Sequence, residues 1–159
     1  MKSFSTPAER QSLAGARLRR HADYLRAYAA ARKRQSASMS WFLAPQAPAG
    51  PDATVTSGLC PGPRVGLTVG KVIGRATERN RIKRRMREAL RRHVGLLPQG
   101  CDLIFHPRRV VLTMEFAQLE AEIVRILQQA RSEQVRTEAS RAGIKSPAAA
   151  LQAPGPSAP

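Results

Sequence analysis

Arg79 to Arg92 reads Arg-Asn-Arg-Ile-Lys-Arg-Arg-Met-Arg-Glu-Ala-Leu-Arg-Arg. Eight of these residues are Lys or Arg, against one acid, Glu88. A guanidinium offers a rigid fork of donors that fits a phosphate in two-point fashion, and a lysine adds a compact charge. The chemistry on offer is recognition of a polyanion, because so many neighbouring cations repel one another unless phosphates neutralise them. Arg79, Arg81, Lys83, Arg84, Arg85 and Arg87 are the candidate phosphate contacts. Asn80 can both donate and accept, so it suits a base or sugar edge equally with a cap at a helix start. Lys71 and Arg75 lie in the turn just before, where Gly70 and Gly74 either let backbone approach RNA closely or simply serve the turn.

These cations need a rigid support, and the same segment supplies one. Ile82, Met86, Ala89, Leu90 and Leu97 recur at three- and four-residue steps, which predicts a helix from about Thr77 to His93 with one apolar side. Ahead of it, Arg64–Val69 alternates as a strand, and behind it Cys101–His106 reads as a buried strand. A strand-helix-strand unit makes those two strands candidates for parallel neighbours. Met39–Leu43 is a third strand, on which Phe42 and Trp41 must face opposite sides. Arg17–Ala31 has helical spacing through Leu18, Ala22, Leu25 and Tyr28, and Arg32-Lys33-Arg34 suits the negative end of that helix. A last helix is expected over Thr113–Ala130, capped by Thr113, with a stripe of Phe116, Leu119, Ile123, Ile126, Leu127 and Ala130.

The fold class that follows is α/β: a single two-layer sandwich in the order helix-strand-strand-strand-helix-strand-helix. Residues 1–16 read as a flexible leader and 17–131 as the domain. Residues 132–159, rich in Ala, Pro and Ser, read as a disordered tail. Ala44–Pro63 holds too many Pro and Gly residues for a regular element and reads as a long connection between strands.

The 159 residues carry 27 Lys and Arg against 11 acids, a net charge of +16. That balance favours nucleic acid over a membrane surface, because no segment pairs cations with a broad apolar face. No apolar run approaches the length of a membrane span, and no secretory signal is evident, so a soluble cytoplasmic protein is expected. Cys60 and Cys101 stand far apart and form no metal-binding pair, so neither a disulfide framework nor a zinc site is expected.

Arg64-Val-Gly-Leu-Thr-Val-Gly-Lys-Val-Ile-Gly74 followed by Arg79-Asn-Arg-Ile-Lys-Arg-Arg-Met-Arg-Glu-Ala89 resembles the protein component of bacterial ribonuclease P. The aromatic N-terminal helix and Gly100-Cys-Asp-Leu-Ile-Phe105 fit as well, and the resemblance covers roughly residues 17–130. It implies a subunit of a ribonucleoprotein endonuclease that removes the 5′ leader from precursor tRNA. The chemistry then belongs to the RNA subunit and its bound Mg2+, with no cofactor held by the protein. The partners implied are ribonuclease P RNA, through the Arg79-Asn80-Arg81 helix, and the leader of precursor tRNA. The leader would lie in a cleft beside Tyr24, Tyr28 and Phe42, whose rings can stack on unpaired bases. Two positions depart from the family pattern: Val72 replaces a usual lysine, and Arg75 replaces a usual Asn-like residue.

Two other classes compete. A protein acting as an enzyme alone would need acid-base groups, but His21, His93 and His106 are scattered, with no carboxylate pattern near them. A non-catalytic RNA-binding module would need the charge but not the joint presence of glycine turn, Arg-Asn-Arg run and aromatic helix. A helix-turn-helix DNA reader fits less well, because a strand rather than a short helix precedes the basic segment.

Overall fold

A computed structural model describes residues 13–46 and 62–144. A short 3-10 turn, Leu13–Ala16, leads to helix α1, His21–Ala30. Strands β1 (Arg32–Gln35), β2 (Met39–Pro45) and β3 (Arg64–Leu67) follow, then helix α2 (Ala76–Arg92), strand β4 (Cys101–Pro107) and helix α3 (Phe116–Ile144). The strands form one sheet in the order β1-β2-β4-β3. β1 and β2 are antiparallel, as are β2 and β4, while β3 and β4 run parallel on either side of α2. The expected strand-helix-strand unit is therefore present.

The core lies between the sheet and a layer made by α2 and α3. Trp41, Val65, Leu103 and Phe105 from the sheet meet Ile82, Met86, Ala89 and Leu90 of α2 and Leu119, Ile123 and Leu127 of α3. Each fully buried side chain of this size contributes about 1.5–3 kcal/mol, so the helix stripes are anchored by the sheet rather than by local propensity. The alternation of β2 sends Trp41 into this core and Phe42 to the other face, as the strand period requires. On that second face α1 lies across β2 and β4, over Phe42, Ala44 and Ile104.

Several boundaries differ from the sequence expectation, each for a physical reason. Arg32-Lys33-Arg34 forms strand β1 rather than the end of α1, because β2 offers it a ladder from Arg32↔Leu43 to Gln35↔Ser40. Helix α1 begins at His21, so Leu18 precedes it, and Leu25 is 56% exposed. The face that α1 buries carries Asp23 and Ala27, and a charge sits there because Arg64 reaches it at 3.4 Å. Thr113 does not cap α3; it ends the 3-10 turn Arg109–Leu112, and its hydroxyl donates to Val110 O. Helix α3 runs on to Ile144, past the expected end at Ala130, although its core stripe stops there. Arg34 pairs with Glu133 at 3.1 Å, and Gln134 donates to Gln99 O, which carries the helix past its apolar stripe. The remainder of the expected tail, most of the expected leader and most of the loop Ala44–Pro63 lie outside the described residues.

Candidate nucleic-acid interface

The basic helix is held at three points. At its start, Glu78 accepts the backbone N–H of Arg75 at 2.8 Å, and Arg109 spans from the Glu78 carboxylate to Ile73 O. A Cβ at Gly74 would fall on the Glu78 carboxylate, so that glycine serves the turn. Since Glu78 performs the capping, Asn80 is not a cap; it lies in the second turn of α2 with its side chain exposed. Midway, Arg85 donates to Val111 O at 2.7 Å, to Leu112 O at 2.8 Å and to Met114 O. That departs from its expected role as a phosphate contact: its guanidinium is committed to clamping the turn between β4 and α3. At the far end, Glu88 accepts from Arg91 at 2.7 Å and from Arg92 at 3.3 Å. Arg92 also lies 4.8 Å from the Phe116 ring centroid and pairs with Glu120.

The cations of α2 thus divide. Those of the last turn are neutralised by Glu88 and Glu120. Among the described residues, no carboxylate forms an ion pair with Arg79, Arg81, Lys83, Arg84 or Arg87. Arg81 and Arg84 are exposed; Arg79, Lys83 and Arg87 are half-buried, and the Nε atoms of Arg79 and Arg87 have no hydrogen-bond partner. Lys71 and Arg75 extend this charge at the mouth of the helix, beside a fully exposed Val72.

The rings gather on the other face of the sheet. Tyr28, Phe42 and His106 form one cluster: Tyr28 meets Phe42 at 5.1 Å and 86°, and His106 at 5.6 Å and 80°. Phe42 and His106 lie 5.1 Å apart. The Tyr28 hydroxyl sits 2.6 Å from His106 Nε2 and 3.1 Å from Thr68 Oγ1. Burial, and then the nearby Lys33, push the His106 imidazole below its ordinary value, which favours its neutral form. Tyr24 belongs to the same helix face but has a second task. Its ring presses on Gly66, where a Cβ would stand 2.7 Å from Tyr24 Cε1, and burial pushes its phenol above the ordinary value. Only a glycine in β3 allows that approach.

Sequence alone marks His106 only as one of three scattered histidines, and it does not mark Thr68 or the network that seats α1. Arg64 grips Asp102 with two hydrogen bonds of 2.8 Å and also pairs with Asp23, which in turn accepts from Arg26. A signal was available in retrospect: an acid within the apolar strand Cys101–His106 needs a buried partner. At the edge of β3, Arg17, Tyr24 and Arg87 line one pocket with Leu18, Val65 and Leu67. Arg87 therefore joins the cationic helix to the aromatic face. Among the described residues, no group of three or more His, Cys, Asp or Glu side chains could hold a metal ion. None of the described helices is long and apolar enough to cross a membrane.

A four-stranded sheet carrying a cationic crossover helix on one face and an aromatic cluster on the other defines a class of small basic α/β proteins. Within it, the family model for Ribonuclease P matches residues 14–131. The chain belongs to the family of bacterial ribonuclease P protein components. It is 44% identical over 78 residues to the ribonuclease P protein component of Chloroflexus aggregans, spanning 48% of this chain and 58% of that protein. It is 31% identical over 109 residues to that of Thermobifida fusca, spanning 67% of this chain and 70% of the relative. Among solved structures, the RNase P protein of Thermotoga maritima superposes with a TM-score of 0.58 at 25% identity, covering 71% of this chain and 96% of that one. The RNase P protein of Staphylococcus aureus shares the fold, with a TM-score of 0.56 at 22% identity over 73% of this chain and 95% of that one.

Proposed function

We propose that this chain is the protein subunit of a ribonuclease P ribonucleoprotein, acting in the cytoplasm. It binds the catalytic RNA and the 5′ leader of precursor tRNA and so promotes endonucleolytic maturation of the tRNA 5′ end. The observation that carries this is the division of α2: among the described residues, Arg79, Arg81, Lys83, Arg84 and Arg87 have neither a carboxylate partner nor the carbonyl clamp that holds Arg85, while Arg91 and Arg92 are paired with Glu88 and Glu120. Crowding these cations on one face without counter-charge is costly, and RNA phosphates supply that charge. Arg79, Arg81, Lys83, Arg84 and Arg87 then hold the RNA subunit, with Asn80 between them and Lys71 and Arg75 at the mouth of the helix. Tyr28 and Phe42, with Tyr24 beside them, take the unpaired leader. Bond cleavage belongs to the RNA subunit, with Mg2+ held mainly there.

The test is leader cleavage of a precursor tRNA at low Mg2+ by a bacterial ribonuclease P RNA, with and without this protein. Cleavage that requires the RNA and rises sharply with the protein is the expected result. RNA binding without stimulation would reduce the chain to a non-catalytic binding module. Cleavage by the protein alone would place the catalyst in the protein.

A further inference from the structure

His106 closes the ring cluster with Tyr28 and Phe42, and it lies just past the Gly100–Phe105 run that carries the family resemblance. It pairs across the sheet with Ser40 of β2, two positions from Phe42. Thr68 stands beside it, tied to β4 through its N–H to Phe105 O at 2.9 Å. Tyr28 reaches this spot from α1, a helix of only 10 residues, and its ring is half-buried. Tyr28 packs against the cluster of Leu18, Ala27, Ala44 and Ile104 yet keeps part of its ring in solvent.

We propose that His106 is a positioning residue for the leader site: with Thr68 it holds the Tyr28 hydroxyl, fixing the ring upright beside Phe42 so that the two present a preformed corner to an unpaired base. This deepens the assignment of the cleft to the leader and rests on it. The phenol lies within hydrogen-bond distance of both Nε2 and the Thr68 hydroxyl, and the proposed arrangement has it donate to Nε2 while it accepts from Thr68. The perpendicular contacts of Tyr28 with Phe42 and His106 fix the ring from its flanks. A ring fixed before binding need not be ordered when the base arrives, which is how preorganisation raises affinity.

The experiment compares precursor tRNA with and without its leader, bound to the holoenzyme made with full-length protein. The variants are Tyr28→Phe, His106→Ala, His106→Gln, Tyr28→Ala and the double variant Tyr28→Phe/His106→Ala. Tyr28→Phe removes only the hydroxyl, so it probes the bond even where His106→Ala folds poorly. Each of Tyr28→Phe and His106→Ala is expected to lower the leader's contribution to affinity about threefold to tenfold, the span of one hydrogen bond. The double variant loses no more than either alone, because both delete the same interaction. His106→Gln restores most of the loss, since its amide oxygen accepts where Nε2 did. Affinity for leaderless tRNA stays constant throughout. Losses that add in the double variant, or a wild-type leader contribution in His106→Ala, overturn the positioning role. If Tyr28→Ala abolishes leader discrimination in that case, the leader assignment still stands. If Tyr28→Ala also leaves leader discrimination unchanged, the cleft does not hold the leader and both proposals fall.

Discussion

The outer face of α2 and the aromatic cleft are built on opposite logics. On α2 the proposed RNA contacts are long cations held apart from acids, and the helix needs only an apolar stripe to carry them. On the other face, three rings from three elements meet because a helix crosses a sheet at one place. The first surface is a property of one segment. The second is a property of the fold. Charge patterning along a helix can be read residue by residue, whereas a cluster assembled from α1, β2 and β4 exists only after strand register is set.

The widest separation between the two surfaces should come from replacing Arg79, Arg81 and Arg84 together with Ala. Binding to the RNA subunit is expected to weaken by about two to three orders of magnitude, and the salt slope to fall by roughly 0.7–0.9 for each phosphate that is no longer neutralised. An affinity titration over a range of salt concentrations checks this; an unchanged slope would remove α2 from the interface. Arg85→Ala belongs to a different category. Its removal frees three carbonyls of the turn ahead of α3, so its effect should appear in thermal unfolding rather than in the salt slope.

Asp102→Ala tests what seats the cleft. It leaves Arg64 without its two-point partner and is expected to cost about 3 kcal/mol in urea unfolding. A change below about 0.5 kcal/mol, the scatter of ordinary surface substitutions, would mean that Asp102 is not needed to hold Arg64 against Asp23 of α1.

Tyr28→Ala should lower affinity for leader-bearing substrate by about 5-fold to 100-fold, the range of one base stacking on an aromatic ring, and leave leaderless tRNA unaffected. Equal losses on both substrates would make the ring structural.

Glu122 gives the smallest effect and a pH signature. Burial opposes its ionisation, but donors from Ser36 Oγ, Ser38 Oγ and Ser38 N–H outweigh burial and hold the carboxyl below its ordinary value. A carboxyl depressed in the fold stabilises it fully above the unfolded-state pKa, and that contribution is lost as pH falls through the folded value. Glu122→Gln is therefore expected to cost about 1–2 kcal/mol at pH 7 and to flatten the acid limb of the stability profile. An unaltered acid limb would remove Glu122 from the acid sensitivity of the β1–β2 turn.

What could be read in advance follows the same division. The stripe of α2, the stripe of α3 and the three apolar strands were legible because apolar periodicity records burial directly. The opposite facing of Trp41 and Phe42 follows from strand period alone. Strand β1 was not legible, since Arg-Lys-Arg-Gln carries no apolar signal and exists as a strand only because β2 pairs with it. The roles of individual arginines were not legible either. Arg85 clamps carbonyls while Arg84, its neighbour, is exposed, and only the helix phase relative to the sheet decides between them. Gly66 reads as an ordinary strand glycine until Tyr24 is placed against it.

The measurement closest to the central claim is a two-by-two comparison in the reconstituted holoenzyme. The Arg79/Arg81/Arg84→Ala protein and the Tyr28→Ala protein are each assayed for affinity to the RNA subunit and for discrimination between leader-bearing and leaderless tRNA. The first variant should lose RNA-subunit affinity yet retain leader discrimination once saturated with RNA. The second should do the reverse. If both variants lower both quantities to the same degree, the molecule has one continuous RNA surface, and the account of two separately built sites is wrong.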